Sequence, residues 1–488
     1  MNSLDQNFNA KNFGVIYNLL NRKGKIDITK MSCEFQEVVA QIKQCRNDLM
    51  ELRHKKRSLW SEEEKELFEA KNDELDSLLD SRAEELDKNI CGFAAEVNNT
   101  KFRFSMRMHK HGKHEKFTID TSRLAPYFAI CQLQHNLKKV FNVNMPSRHQ
   151  IMCQLKILLN TITNGYIIRA DVEDFFESIP QDQLIQKLEN NTLLSYKSLA
   201  FIKAILKMYE DCKTKDGSNE GKGVPRGVGI SSMLSEIHMQ DIDRLIRSRD
   251  EVVYYVRYVD DIFMILTSLG SSKSIEDYYT SLRELFKSYG LSLHDTSHKK
   301  TSLFYVSNES DIKIGEFDYL GYGLLLTINK GNSLKTEFGL SSKRKKKYRK
   351  KIKKAFLHFE NLCKVNIRQA RRDLLDSLDF ITGNCRLANT KGGVKVGVYY
   401  SNDLLTKRGI KELKSLTKML IHNPINVYEN AFASTDEKEV FDKKLMERIS
   451  KFSFEKSWED KRVCSLSIDR IAEITGLLYE KEEDKTEI

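Results

Sequence analysis

Two adjacent aspartates interrupt a run that is otherwise almost wholly apolar: Tyr254-Tyr-Val-Arg-Tyr-Val-Asp-Asp-Ile-Phe-Met-Ile-Leu266. Burying ionised carboxylates without a partner costs several kcal/mol each. Asp260 and Asp261 must therefore either cap a hairpin at the solvent or be held by something positive. A plain β-turn is the competing reading, since Asp is a turn former. Against it, no Gly, Asn or Pro accompanies the pair and both flanks are hydrophobic. The run therefore reads as two apolar strands with the aspartates between them.

A third carboxylate narrows the choice. Asp171 follows the strand-like segment Gly165-Tyr-Ile-Ile-Arg-Ala170, and Phe175 and Phe176 follow it closely. A carboxylate ending one central strand, facing a pair on a hairpin, is what two-metal phosphoryl transfer requires. Hard oxygen ligands of this kind suit Mg²⁺, with substrate phosphates and water completing the shells. One ion would lower the pKa of an attacking 3′-hydroxyl and the other would steady a leaving pyrophosphate.

Around these segments the patterning changes twice. Residues 1–98 read as a helical extension: Ser61 and Glu64 form a capping-box pattern, and Leu67, Phe68, Leu75, Leu78, Leu79 and Leu86 recur at roughly helical spacing, as a core face or helix-hairpin seam would. Residues 99–335 mix strands with helices. Phe317 to Thr327 reads as a strand or hairpin, and Ile151, Leu155, Leu158 and Leu159 as a helix face. Residues 336–488 read as helical and strongly basic, with a charged, frayed end from Glu480 to Ile488. The fold class expected is α+β, with helices on one face of the central sheet.

Composition excludes more than it identifies. The net charge of +11 favours a polyanionic partner without proving one. No run of about 18 apolar residues is present, so no membrane span is expected. The first residues lack the pattern of a signal peptide. Nine cysteines at scattered positions, with no Cys-x-x-Cys pair, fit a reducing cytoplasm and no structural zinc. His109, His111 and His114 read as part of a flexible basic loop, because no carboxylate or cysteine accompanies them.

Four segments in order resemble the motifs of reverse transcriptases. Asp171-Val-Glu-Asp-Phe-Phe176 is similar to the first palm motif, Tyr258-Val-Asp-Asp261 to the Tyr-x-Asp-Asp motif, and Phe317-Asp-Tyr-Leu-Gly321 to the primer-grip strand. Gly223-Val-Pro-Arg-Gly-Val-Gly-Ile-Ser231 resembles the Gly-x-Pro-Gln-Gly-x-x-x-Ser motif, with Arg226 in place of the usual Gln and Ser232 in place of the usual Pro. The resemblance implies right-hand polymerase fingers and palm, with a helical C-terminal domain replacing the thumb. It implies an RNA-directed DNA polymerase with two Mg²⁺ ions per site, Asp171, Asp260 and Asp261 as catalytic residues, and Asp171, Val172, Asp260 and Asp261 as metal ligands. Phe176 would exclude a 2′-hydroxyl and so favour deoxynucleotides, the alternative being that it is core. Arg148, in a segment Ser147-Arg-His-Gln150 that also fits a capping box, would hold the triphosphate. Arg226 and Gly227 would support the templating pair and incoming base. Lys300 or its neighbour Lys299 would face the leaving phosphate.

Lys343 to Lys354 holds ten cationic residues in twelve and no acid. Such a helix repels itself unless a polyanion is near. Lys343, Arg344, Lys346, Lys347, Lys350 and Lys351 are therefore expected to grip a nucleic-acid backbone, while Tyr348, Ile352, Ala355 and Phe356 dock the other side on the palm. The palm segments, with Asp379 to Leu387 and Gly397 to Asn402, most resemble the bacterial defence-associated reverse transcriptases of the unknown-group and abortive-infection class. That resemblance implies an antiphage role, with an RNA template that is often a dedicated noncoding RNA, a DNA product, dNTP substrates, and in some members a second polymerase subunit or homo-oligomers. Two alternatives remain: template-independent or protein-primed DNA synthesis by the same site, and a non-catalytic RNA-binding scaffold.

Overall fold

The computed structural model covers the 488-residue chain and describes residues 5–54, 60–111, 114–120, 122–213, 220–267, 273–306, 313–328, 334–386, 394–431 and 443–479. The first helices are α1 (Ala10–Arg22), α2 (Cys33–Leu52) and α3 (Glu62–Asn98), followed by β1 (Met106–His111), β2 (His114–Ile119), α4 (Leu124–Val140) and α5 (Arg148–Leu158). Next come β3 (Gly165–Asp171), α6 (Phe175–Ser178), α7 (Gln181–Glu189), α8 (Tyr196–Cys212) and α9 (Ser231–Arg247). The hairpin β4 (Val252–Tyr258) and β5 (Asp261–Leu266) precedes α10 (Ile275–Ser288), β6 (Ser302–Val306), β7 (Lys313–Tyr319), β8 (Tyr322–Ile328) and β9 (Leu334–Leu340). The rest is α11 (Ser342–Cys363), α12 (Ile367–Thr382), β10 (Asn384–Arg386), β11 (Lys395–Gly397), α13 (Lys407–Ala431), α14 (Lys443–Ile449), α15 (Phe454–Glu459) and α16 (Ile468–Leu478). No helix among the described residues is long and apolar enough to cross a membrane.

The chain divides into two compact units. The first comprises Met1–Met145, Val172–Ser248 and Ser281–Leu293; the second comprises Pro146–Asp171, Arg249–Thr280 and His294–Ile488.

In the first unit α3 is the longest helix, and it starts where the sequence says it should. The Ser61 hydroxyl accepts from the Glu64 N–H while the Glu64 carboxylate accepts from the Ser61 N–H. That reciprocal bond satisfies two otherwise orphaned donors. α2 packs on α3, and α1 packs on α3 and α4. The leucine stripe is only half-buried at Leu75, Leu78, Leu79 and Leu86, and Leu67 is exposed. Full burial comes further along, at Ile90, Ala94 and Val97. There Phe93 stacks on Phe128 of α4 at 5.5 Å, and a Cβ on Gly14 of α1 would lie 4.0 Å from the Ile90 side chain.

The histidine-bearing segment is not a loop. Met106–His111 and His114–Ile119 pair as an antiparallel hairpin, with Met106 opposite Ile119 and Met108 opposite Phe117. Met106, Phe117 and Ile119 are buried while Arg107 and His109 are exposed. The apolar residues thus alternate with a period of two, the mark of a half-buried strand. In the sequence, the exposed Arg107, His109 and Lys116 hide this alternation. The side chains of His111 and His114 lie outside the described set.

The second unit is built on a four-stranded antiparallel sheet in the order β4-β5-β3-β6 and a three-stranded sheet in the order β7-β8-β9. β3 lies inside the first sheet with pairs on both sides. Successive residues Ile167, Ile168, Arg169 and Ala170 are all buried, so both faces of the strand are covered. One apolar core joins β3, β5, β7, β8 and β9 to α5, α11, α12 and α13, with Phe263, Phe338, Phe356 and Phe359 fully buried. Beyond residue 336 the pattern is not purely helical, because Asn384–Arg386 and Lys395–Gly397 pair as short strands. The terminal segment Glu480 to Ile488 lies outside the described residues.

Candidate active site

Register brings the carboxylates together. Asp171 is the last residue of β3 and pairs directly with Asp261, the first residue of β5. Asp261 also pairs with Tyr258 across the β4-β5 hairpin, leaving Val259 and Asp260 as its two-residue tip. Ligand oxygens of Asp171, Asp260 and Asp261 lie within 4.8 Å of one another. Val259 has φ 59. A β-branched residue is strained in that left-handed region, where turn chemistry would favour Gly or Asn. The buried Arg257 holds the tip, its guanidinium donating to the Val259 carbonyl at 2.8 Å.

The electrostatics are those of an anionic cluster wanting a cation. Asp171 is 2% exposed. Burial, then the charges of Asp260 and Asp171, push the Asp261 carboxyl up to about 6, against the opposing pull of Arg169 and Lys300. Lys300 donates to Asp171 Oδ2 at 2.7 Å. Burial pulls the Lys300 ammonium down, but the hydrogen bond and charge of Asp171, with Asp260 and Asp261, outweigh it and leave it raised. Lys300, not Lys299, therefore meets the triad; the Lys299 carbonyl instead accepts from Arg169 at 3.2 Å. Three carboxylates offering hard oxygens at this separation fit a divalent ion.

Two histidines join the group without having been evident in the sequence. His294 Nε2 lies 3.4 Å from Asp171 Oδ2, and the rings of His294 and His298 stack at 3.8 Å. The only signal was their place in the segment between Gly290 and Lys300. Arg169 was hidden inside a strand, where an arginine reads as an exception rather than as a counter-charge. On α5, Arg148 is the first helical residue, and its guanidinium lies 4.6 Å from the Tyr258 ring centroid. Ser147 is the N-cap but makes no side-chain capping bond, so the capping box expected with Gln150 does not form.

Phe176, Arg226, Gly227 and Val172 belong to the first unit. Phe175 is buried core, whereas Phe176 is half-buried. The Arg226 guanidinium lies 5.3 Å from the Phe176 ring and grips Glu177 through two bonds of 2.8 and 3.0 Å. Such a fork is the strong form of an ion pair. Glu177 was the missed partner, adjacent to Phe176 in sequence but with nothing to mark it. The glycines of this loop are required by space: Gly227 has φ 101, and a Cβ there would meet the Phe117 carbonyl at 2.7 Å. Gly223 has φ 90 and would meet the Glu177 carbonyl at 2.9 Å. Ser231 closes the loop by donating to the Pro225 carbonyl at 2.7 Å. Val172 is buried and bridges to Leu293.

Residues 108–324 match the family model described as reverse transcriptase (RNA-dependent DNA polymerase). The chain carries a reverse-transcriptase domain. Asp171 and the Asp260-Asp261 pair all lie inside the matched residues. No curated protein matches the sequence. Among solved structures the chain is similar to telomerase from Candida albicans in complex with the TWJ fragment of telomeric RNA, at 12% identity and a TM-score of 0.35, covering 79% of this chain and 64% of that one. It is also similar to apo telomerase from Candida tropicalis, at 12% identity and a TM-score of 0.33, covering 78% and 66%. The chain thus spans just under two thirds of each of these telomerases.

After the matched residues, α11 does not present its cations as one strip. Lys343, Lys346, Lys350 and Lys353 are exposed and share one face by their helical spacing. Ile352, Ala355, Phe356 and Phe359 are buried on another. Arg344, Lys347 and Lys351 lie between the two. The helix is not without an internal acid, since Lys345 pairs with Glu412 of α13 at 3.1 Å. Arg344 and Lys351 are half-buried, whereas Lys347 is exposed.

Proposed function

We propose that this protein is an RNA-directed DNA polymerase whose metal site is formed by Asp171, Asp260 and Asp261. The meeting of the three carboxylates inside the reverse-transcriptase domain carries this reading. The ions proposed are two Mg²⁺, with Val172 completing the ligand set. When bound they would lower the pKa of the attacking 3′-hydroxyl and neutralise charge on the phosphates. The reaction forms a bond from the primer 3′-oxygen to the α-phosphorus and breaks that phosphorus's bond to pyrophosphate. Lys300 would present its ammonium beside the departing phosphates, held in place by Asp171. Arg148 would contact the triphosphate, Phe176 would face the sugar, and Arg226 with Gly227 would support the templating pair. In this reading residues 1–98 are an N-terminal extension, 99–335 the fingers and palm, and 336–488 stand in the thumb's place.

The exposed face of α11 would track the backbone of the template duplex or a bound RNA. Replacing Lys343, Lys346, Lys350 and Lys353 by Gln weakens binding on every sequence and flattens the plot of log affinity against log salt by about 0.9 for each phosphate that is no longer neutralised. An unchanged slope would remove the face from the interface.

A second reading, synthesis without a template, draws on one observation: the residue replacing the usual Gln is engaged by Glu177. Nuclease removal of RNA from the purified protein separates the two, since only untemplated synthesis survives it. The resemblance to defence-associated enzymes supports an antiphage role in the bacterial cytoplasm, with a dedicated noncoding RNA, and with a second polymerase subunit or self-assembly as further partners. Protection in a plaque assay should then disappear in an Asp260→Asn variant; retained protection would separate defence from polymerisation.

A further inference from the structure

Among the described residues, the second unit holds a cavity of about 350 Å³ between α11, the end of α12 and Tyr479. That volume lies in the range of small-molecule sites, roughly 300–1,000 Å³. Arg344, Lys347 and Lys351 line it, with Tyr348, Phe380 and Tyr479, and no carboxylate does. Lys347 and Lys351 are one helical turn apart and converge on one ring: their ammonium groups lie 5.2 and 4.4 Å from the Tyr479 centroid. Lys351 is also 5.4 Å from the Phe380 centroid.

Arg344 is fixed at the other side, donating to the Ser401 carbonyl at 2.6 Å and lying 5.4 Å from the Tyr322 ring. Neither Lys347 nor Lys351 meets a carboxylate among the described residues. Burial, then the charge of Lys347, pulls the Lys351 ammonium down to about 8. Cation–π contacts offset part of that cost. A bound anion would offset it directly.

We propose that this cavity binds a nucleoside phosphate, its phosphate between Lys347, Lys351 and Arg344 and its base against the aromatic walls. Three cations select phosphate, and the flat rings select a planar base over an acidic peptide. The ligand's source is either a free nucleotide or the 5′-phosphorylated end of an RNA. The proposal does not rest on the metal assignment.

Calorimetric titration of the full, nucleic-acid-free protein in EDTA tests it, because the catalytic carboxylates then carry no metal-bound nucleotide. The probes are AMP, ATP, adenosine, inorganic phosphate and an RNA decamer with or without a 5′-phosphate. AMP should bind about tenfold or more tightly than adenosine or phosphate alone, and Lys347→Gln with Lys351→Met should weaken it by a similar factor. Tighter binding of the phosphorylated decamer than of AMP and ATP identifies an RNA end; the reverse order identifies a free nucleotide. Lys351→Met alone should melt no lower than wild type, since it removes a half-buried charge and keeps the chain length. The proposal is overturned if no probe binds, if phosphate binds as well as AMP, or if the double variant binds AMP unchanged. It is equally overturned if Lys351→Met lowers the melting temperature with AMP binding intact, which would make the lysine a structural support for Tyr479.

Discussion

Asp260→Asn combined with Asp261→Asn abolishes nucleotide addition while making the metal-free protein more stable. The catalytic loss should be at least about a thousand-fold, because metal-centred charge stabilisation is worth several kcal/mol and each 1.4 kcal/mol is a factor of ten. The gain in stability follows from repulsion. The folded-state pKa of Asp261 is raised to about 6 by burial and by its two carboxylate neighbours. A carboxyl raised in the folded state is ionised more readily in the unfolded chain. It therefore lowers stability as pH rises from the ordinary carboxylate value through the folded value, and the full cost is present above that. A rise of that size corresponds to roughly 1–3 kcal/mol. Thermal unfolding in EDTA at neutral pH should show the variant melting higher, with the difference closing near the ordinary carboxylate pKa. Added Mg²⁺ should raise the melting temperature of wild type and leave the variant where it is, since an ion that binds only the folded state stabilises it. A variant less stable than wild type in EDTA at neutral pH would mean that the carboxylates are bound by internal partners strongly enough to need no ion.

Phe176→Ala should admit ribonucleotides. Phe176 is half-buried while Phe175 is core, so the ring is available to something other than packing. Arg226 lies 5.3 Å from its centroid and is tied to Glu177, which restrains the ring from one side. Removing the ring vacates space that a 2′-hydroxyl needs. The ratio of rNTP to dNTP incorporation should rise by about ten- to a hundred-fold, the usual reach of steric discrimination in a pocket. Competition between dGTP and GTP on one template reads this ratio. Equal use of both by wild type, or an unchanged ratio in the variant, would remove Phe176 from sugar selection.

The palm strands were legible because burial and charge conflict there. Gly165 to Ala170 is a strand, Val252 to Leu266 is a hairpin with its aspartates at and beside the tip, and Phe317 to Thr327 is a second hairpin turning at Leu320 and Gly321. In each case an apolar run of strand length is ended or interrupted by a carboxylate or a turn glycine. The β1-β2 hairpin failed to show because Arg107, His109 and Lys116 are exposed between the inward residues, and the alternation of Met106, Met108, Phe117 and Ile119 is split over two strands. Ser147 carried a capping pattern without making the bond, since Ser-x-x-Gln states only that the partners are within reach. The longest-range features were invisible for a simpler reason. Glu177 beside Arg226, His294 beside Asp171, and Glu412 beside Lys345 are 49, 123 and 67 residues apart in sequence, and charge alone does not say which acid a base will find. The basic run on α11 therefore read as one uncompensated strip, whereas folding divides it among solvent, a core face and a cavity.

The assignment proposed for Asp171, Asp260 and Asp261 is to synthesis of DNA directed by RNA. Its most direct test supplies the purified, nuclease-treated protein with an RNA of defined sequence, an annealed primer, four dNTPs and Mg²⁺, and sequences the product. Wild type is expected to make DNA complementary to the supplied RNA, and neither an Asp171→Asn nor an Asp260→Asn variant should make it. Product unrelated to the supplied RNA, or product of the same sequence and amount from either variant, would contradict the claim.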